Sequence, residues 1–154
     1  MIRIVESFRE FLDLAKINQG PDGWTIYGSN PKSVSHVEKV SFPELGITRI
    51  KSKIDTGADN TAIHANGIEE KDGTLYFWIK SPKKRLDFKE FKKIKVKSST
   101  GESQDRYQIE TIVKFGEQEF LIKVSLTDRS NMKYDCILGR NFLKAGKFTV
   151  DINQ

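Results

Sequence analysis

Ile54-Asp55-Thr56-Gly57-Ala58-Asp59-Asn60-Thr61 runs an apolar strand directly into an acid, a hydroxyl residue and a glycine. Glycine lets the chain turn where a side chain would clash. A threonine hydroxyl can hydrogen-bond within such a turn and stiffen it. Asp55 is thereby presented as a carboxylate at the end of a strand, in fixed surroundings. Taken alone, the same residues also describe an ordinary Asx-type turn.

A second signal lies far along the chain, in Cys136-Ile137-Leu138-Gly139-Arg140-Asn141-Phe142-Leu143. An apolar strand there meets Gly-Arg, and Asn141-Phe142-Leu143 opens a short helix that Gly146 ends. Between the two signals the chain reads as strands. Ser98-Ser99-Thr100-Gly101-Glu102 is a polar, glycine-tipped hairpin. Tyr107, Ile109, Val113 and Phe115, then Phe120, Ile122, Val124 and Leu126, alternate near period two, and Gly116-Glu117 between them suits a type II′ turn. Ile47, Ile50 and Ile54 mark a strand ending at Asp55. Leu75-Tyr76-Phe77-Trp78-Ile79 is a β-favouring run, Ile94 and Val96 alternate with lysines, and residues 148–152 form a final short strand. Many short strands with one or two short helices predict an all-β domain.

The first thirty residues differ. Ser7 and Glu10 have capping-box spacing, and Phe8, Phe11, Leu12 and Ala15 recur at helical spacing until Asn18-Gln19-Gly20-Pro21. The pattern predicts a helix over 7–17 in an amino-terminal extension, residues 1–33, ahead of a domain over 34–154.

Together the ordered signals resemble the retropepsins, single-lobe aspartic peptidases in which an acid-Thr-Gly-Ala turn precedes a flap hairpin, an apolar pair, Gly-Arg and a short helix. Asp55 and Gly139 lie further apart than in the compact viral enzymes, and the excess falls around residues 66–95. The chain is more closely similar to the bacterial and archaeal retropepsin-like family often labelled "ATP-dependent zinc protease". That pattern runs through Phe42-Pro43-Glu44-Leu45-Gly46-Ile47, Lys53 to Ala58, Ala62-Ile63-His64-Ala65, the hairpin tip, Arg106-Tyr107, Leu126-Thr127-Asp128-Arg129-Ser130-Asn131-Met132 and Leu138-Gly139-Arg140.

The resemblance implies a single-lobe acid-protease barrel and an aspartic endopeptidase. Asp55 would be the one catalytic carboxylate that each chain contributes. No second Asp-Thr-Gly or Asp-Ser-Gly occurs, so a homodimer is implied, acting on a peptide or protein substrate. Thr56, Gly57 and Ala58 would support the carboxylate. Ser99, Thr100, Gly101 and Arg106 would belong to the flap and meet substrate. Gly139 and Arg140 would be structural near the site, with Arg140 an internal ion-pair partner. A catalytically silent binding or assembly module on the same fold is the competing reading. Arg106, Asp128 and Arg129 read equally as a substrate-recognising cluster or as a surface salt-bridge network.

No cofactor is expected. The family label promises zinc and ATP, yet the chain has only His36 and His64, no His-Glu-x-x-His, no paired cysteines and no Gly-Lys-Ser/Thr phosphate loop. The lone Cys136 reads as a small buried hydrophobe and fits a reducing compartment. With no secretory signal and no apolar run long enough to span a bilayer, the cytoplasm is expected and a membrane is not. The net charge of +5 is concentrated: residues 80–97 hold nine Lys or Arg against Asp87 and Glu90. Such a segment attracts anions or simply blunts an edge strand with lysines. Nucleic acid is the least supported partner, because the aromatic-and-arginine pattern that accompanies its binding is missing.

Overall fold

The computed structural model describes residues 33–80, 83–98 and 100–153. The helix expected over 7–17, and Ser99, lie outside the described residues. In chain order the elements are β1 (Ser33–Val34), β2 (Val37–Phe42), a 3-10 turn (Pro43–Leu45), β3 (Ile47–Ile54), β4 (Thr61–His64), β5 (Asn66–Lys71) and β6 (Thr74–Ile79). There follow β7 (Lys84–Phe88), β8 (Lys92–Lys97), β9 (Ser103–Phe115), β10 (Gln118–Thr127), β11 (Cys136–Leu138), α1 (Arg140–Gly146) and β12 (Thr149–Val150).

The two strands with the most regular alternation organise the rest. β9 and β10 pair antiparallel across Gly116 and Glu117. Gly116 has φ 60° and Glu117 stays outside the left-handed region, as a type II′ turn requires. Along β10, Phe120, Ile122, Val124 and Leu126 are buried while Leu121 and Lys123 face solvent. β10 then pairs with β4, β4 with β11, β11 with β3, β3 with β2, and β2 with β9, so the ring closes as a six-stranded barrel. Closure leaves few edges open to pairing with other chains. The seam between β2 and β9 is thin, with Ser41 opposite Lys114. Glu44 reinforces it by accepting hydrogen bonds from the buried Ile112 amide (3.0 Å) and Thr111 hydroxyl (3.2 Å). Gly46, left-handed at φ 70°, then turns the chain into β3.

The described residues are therefore all-β with one short carboxy-terminal helix, as the sequence predicts for this domain. The extra length around residues 66–95 is largely a separate antiparallel meander, β5-β6-β7. Leu75, Phe77, Ile79 and Leu86 turn one of its faces into the common core. β8 lies at the sheet edge beyond β9, and Lys92, Lys93, Lys95 and Lys97 on it are exposed. This is the lysine-blunted edge that the basic segment suggests.

Two local expectations need correction. The last strand is only Thr149–Val150, paired in parallel with Ser33–Val34. Phe148 instead turns inward, and Ile152 is 70% exposed. Gly146 does not supply the left-handed residue that ends α1; Lys147 does, at φ 54°. Gly146 is needed for space, since a Cβ there would meet the Phe148 ring at 2.0 Å. That ring stacks on Phe142 at 5.1 Å and meets Phe115 and Phe120 edge-on, which fixes α1 against the barrel.

Candidate active site

Asp55 stands where β3 leaves the barrel. Its amide donates to the Leu138 carbonyl (2.9 Å), its carbonyl accepts from the Ala58 amide (3.3 Å), and its Oδ1 accepts from the Gly57 amide (3.0 Å). A side chain at Gly57 would crowd that oxygen, because a Cβ would lie 3.3 Å from it. Asp55 is half-buried, whereas Thr56 and Gly57 are exposed. The Thr56 hydroxyl, expected to brace the turn, makes no hydrogen bond among the described residues. The turn is held instead through the Thr56 carbonyl, which accepts from Arg140 Nη1 at 3.0 Å.

β11 and the start of α1 complete the bracing. Arg140 also pairs with the Asp59 carboxylate, its amide donates to Ala58 (2.8 Å), and the Asn141 amide donates to Asp59 (3.1 Å). The expected ion pair of Arg140 thus ties the Asp55 turn to the helix. Gly139 makes this approach possible: a Cβ there would lie 2.4 Å from the Asn60 carbonyl oxygen and 2.9 Å from that of Ala58. Beneath the turn, the buried Thr61 hydroxyl donates to Asn141 Oδ1 (2.9 Å) and accepts from the Gly139 amide (3.3 Å). Asn141 Nδ2 reaches the Lys123 carbonyl (2.7 Å). The sequence reading assigned no role to Thr61, Asp59 or Asn141. The available signal was their place inside the two stretches already singled out, residues 54–61 and 136–143.

The β8–β9 hairpin has its tip at 98–102. The Ser98 amide donates to Glu102 (2.8 Å), the Gly101 amide donates to Ser98 (3.0 Å), and Gly101 has φ 88°. Thr100 and Gly101 are exposed and make no hydrogen bond to the Asp55 unit among the described residues. Arg106 lies further down β9, half-buried, with Nε on Gln104 Oε1 (3.1 Å). The structure thus brings residues 55–58, Gly139 and Arg140 into one hydrogen-bonded unit and sets Thr100, Gly101 and Arg106 on a separate projecting hairpin. A cavity of about 710 Å³ lined by Glu44, Phe88, Phe91 and Gln108 includes none of these residues.

Arg106, Asp128 and Arg129 do not form a surface salt-bridge network. Asp128 accepts from the Ser130 amide (2.9 Å), and Ser130 holds its carboxyl below the usual range. Arg129 is buried, with Nε on the Tyr134 carbonyl (3.0 Å) and its amide on His64 Nδ1 (2.8 Å). Burial lowers the pKa of both arginines. The charge of Arg129 lowers that of Arg106 further, while Cys136, Asp135 and Asp55 act on Arg129 in the opposite sense.

Zinc does not fit these residues. His64 Nδ1 is occupied by a backbone donor, and among the described residues no three His, Cys, Asp or Glu side chains gather as ligands. No helix among them is long and apolar enough to cross a membrane.

Residues 33–154 match the family described as "Retropepsin-like aspartic endopeptidase RimB". The chain is 32% identical, over 76% of its length, to a protein of Shewanella pealeana named "Probable alpha-L-glutamate ligase", and 31% identical, over 71%, to one of that name from Desulfotalea psychrophila. It spans only 28% and 26% of those two proteins. A crystal structure from Legionella pneumophila, of a protein titled as having unknown function, is similar at a TM-score of 0.64 and 28% identity. That match covers 82% of this chain and 96% of that one.

Proposed function

The chain belongs to the RimB-like family of retropepsin-like aspartic endopeptidases, and we propose that it hydrolyses peptide bonds with water activated between the Asp55 carboxylates of two copies. The observation that carries this reading is a single carboxylate at the open end of β3, braced from both sides, in a chain with no second motif of its kind. The exposed Thr56 and Gly57 beside it leave room for a second copy to approach.

Two carboxylates about 3 Å apart cannot both ionise, so the pair shares one proton. The ionised Asp55 takes a proton from water as its oxygen attacks the amide carbon, and the protonated Asp55 donates to the carbonyl oxygen. Collapse of the tetrahedral intermediate breaks the carbon–nitrogen bond, and the amine leaves with a proton from the pair. Gly57 and Arg140 hold the turn and do not react. The 98–102 hairpin closes over the peptide and excludes water. The exposed lysines of β8 favour acidic peptides by long-range attraction, and the glutamate ligase names of the relatives support glutamate-rich chains as substrates.

Purified protein and Asp55→Asn are incubated with a diverse peptide library that includes glutamate-rich members, from about pH 4 to 8, a range that spans the titration of a carboxylate pair. Cleavage by wild type alone, unaffected by chelator, is the expected result; equal cleavage by both proteins would remove Asp55 from the chemistry. A second reading is favoured by the chain's match to about a quarter of the length of proteins named as ligases. In it the domain binds acidic chains without cutting them, and the same assay then gives binding with no products at any pH.

A further inference from the structure

A buried cation needs an anion. Removing a charge from water costs several kcal/mol unless a partner replaces the lost hydration. Arg129 is 8% exposed, yet its guanidinium has one protein acceptor, the Tyr134 carbonyl at Nε. Among the described residues the carboxylates within 4 Å of a basic side chain are Asp59, paired with Arg140, and Asp128, near His64, so none lies within salt-bridge reach of Arg129. Its four terminal N–H donors, a flat fork shaped to take a carboxylate, are without an acceptor among those residues. Arg106, only half-buried, likewise has no carboxylate partner, its Nε meeting the neutral Gln104 amide oxygen.

The fold brings the two together. The β9–β10 ladder runs to Tyr107 opposite Leu126, which makes Arg106 and Thr127 the next positions in register. Thr127 is in turn opposite His64 on β4, and the Arg129 amide is fixed on His64 Nδ1. Arg106 therefore descends from the flap tip toward the point where the 128–135 loop leaves β10. The charges act accordingly: burial and then Arg129 lower the pKa of Arg106, and Asp55 is among the groups whose charge reaches Arg129. Two like charges converge, and the nearest acids to act on Arg129, Asp135 and Asp55, do so only from beyond ion-pair distance. A surface lysine patch would be hydrated and would not need one; a buried arginine does.

We infer that Arg129 and Arg106 form a subsite for a carboxylate of the substrate, between the flap strand β9 and the loop that enters β11. The inference rests on the peptidase reading of Asp55 and deepens it, naming the two residues that select an acidic group. The lysines of β8 attract acidic chains from a distance, whereas this pair registers one carboxylate at a fixed position relative to the bond to be cut.

The test measures binding on the Asp55→Asn background, so that it does not depend on turnover. The probes are a fluorescein-labelled hexaglutamate peptide, its hexaglutamine counterpart, and both with amidated carboxy termini, titrated by fluorescence anisotropy. The Asp55→Asn protein is expected to prefer hexaglutamate, and adding Arg129→Gln or Arg106→Gln is expected to cut that preference by at least about 10-fold. Loss on exchanging Glu for Gln identifies a side-chain carboxylate, and loss on amidation identifies the terminal one; both support the subsite. If the folded arginine variants change neither the glutamate-to-glutamine ratio nor the free-to-amidated ratio, the subsite is overturned, even if Asp55-dependent cleavage stands. If Arg129→Gln does not fold by circular dichroism, the more exposed Arg106→Gln decides alone. Conversely, cleavage by Asp55→Asn would overturn the catalytic reading while leaving the binding result intact.

Discussion

Cys136 is enclosed between β3 and β4, opposite Ser52 and Ile63, with no exposed surface. Burial pushes its thiol up to about 12 from an ordinary 9.0, and the Ser52 hydroxyl and the charge of Arg129 only partly oppose the rise. Because the folded pKa is the higher one, the unfolded chain loses its proton first as pH rises. The stabilising contribution is complete below about pH 9 and is lost as pH rises through about 12. By about pH 10.5 the wild type is expected to have lost roughly 2 kcal/mol more, relative to neutral pH, than Cys136→Ala. Urea unfolding of both proteins across that range checks it. Parallel pH profiles would mean that the thiol ionises inside the fold, and that its surroundings are wetter than the packing between Ser52 and Ile63 implies.

At the scale of elements, barrel closure depends on a side chain where a ladder is thin. β2 meets β9 at Ser41 and Lys114, and Glu44 takes up the buried Ile112 amide and the Thr111 hydroxyl. Glu44→Ala leaves both donors unpaired, a loss of about 1–3 kcal/mol. Glu44→Gln keeps an acceptor of the same reach and is expected to retain most of the stability. Thermal unfolding of the two variants separates them, and equal loss would show that charge rather than hydrogen bonding matters at the seam.

The same contrast explains what the sequence disclosed. β9 and β10 were legible because one face of each is buried and the other wet, which writes an alternation into the residues. β4 was not: all four of Thr61, Ala62, Ile63 and His64 are buried, since β10 and β11 flank the strand and α1 packs over it. The Asp55 turn and Gly139-Arg140 could be read as motifs, and the family resemblance put them near one another, but the residues' own pattern does not give their union. It depends on a parallel pairing of β3 with β11 across some eighty positions of chain, which leaves no local trace. Arg129 was ambiguous for a related reason, because nothing in Asp128-Arg129-Ser130 says which of two charged neighbours turns inward.

For the whole molecule, the decisive property is that one barrel carries half of the proposed catalytic pair. The barrel is closed and the Asp55 turn is braced within a single chain, whereas the proposed chemistry requires two. Folding and activity should then separate on dilution, with the circular dichroism unchanged while specific activity falls as subunits part. Mixing gives a sharper form of the same argument. When equal amounts of wild type and Asp55→Asn exchange freely, a quarter of the doubled dimer population keeps two acids, so total cleavage falls to about half that of the wild type alone. Independent barrels would leave it unchanged, because the variant adds nothing and removes nothing. Measured cleavage rates on a glutamate-rich peptide after pre-equilibration distinguish the two. An undiminished rate would require each barrel to find its second acid, or a different mechanism, within itself.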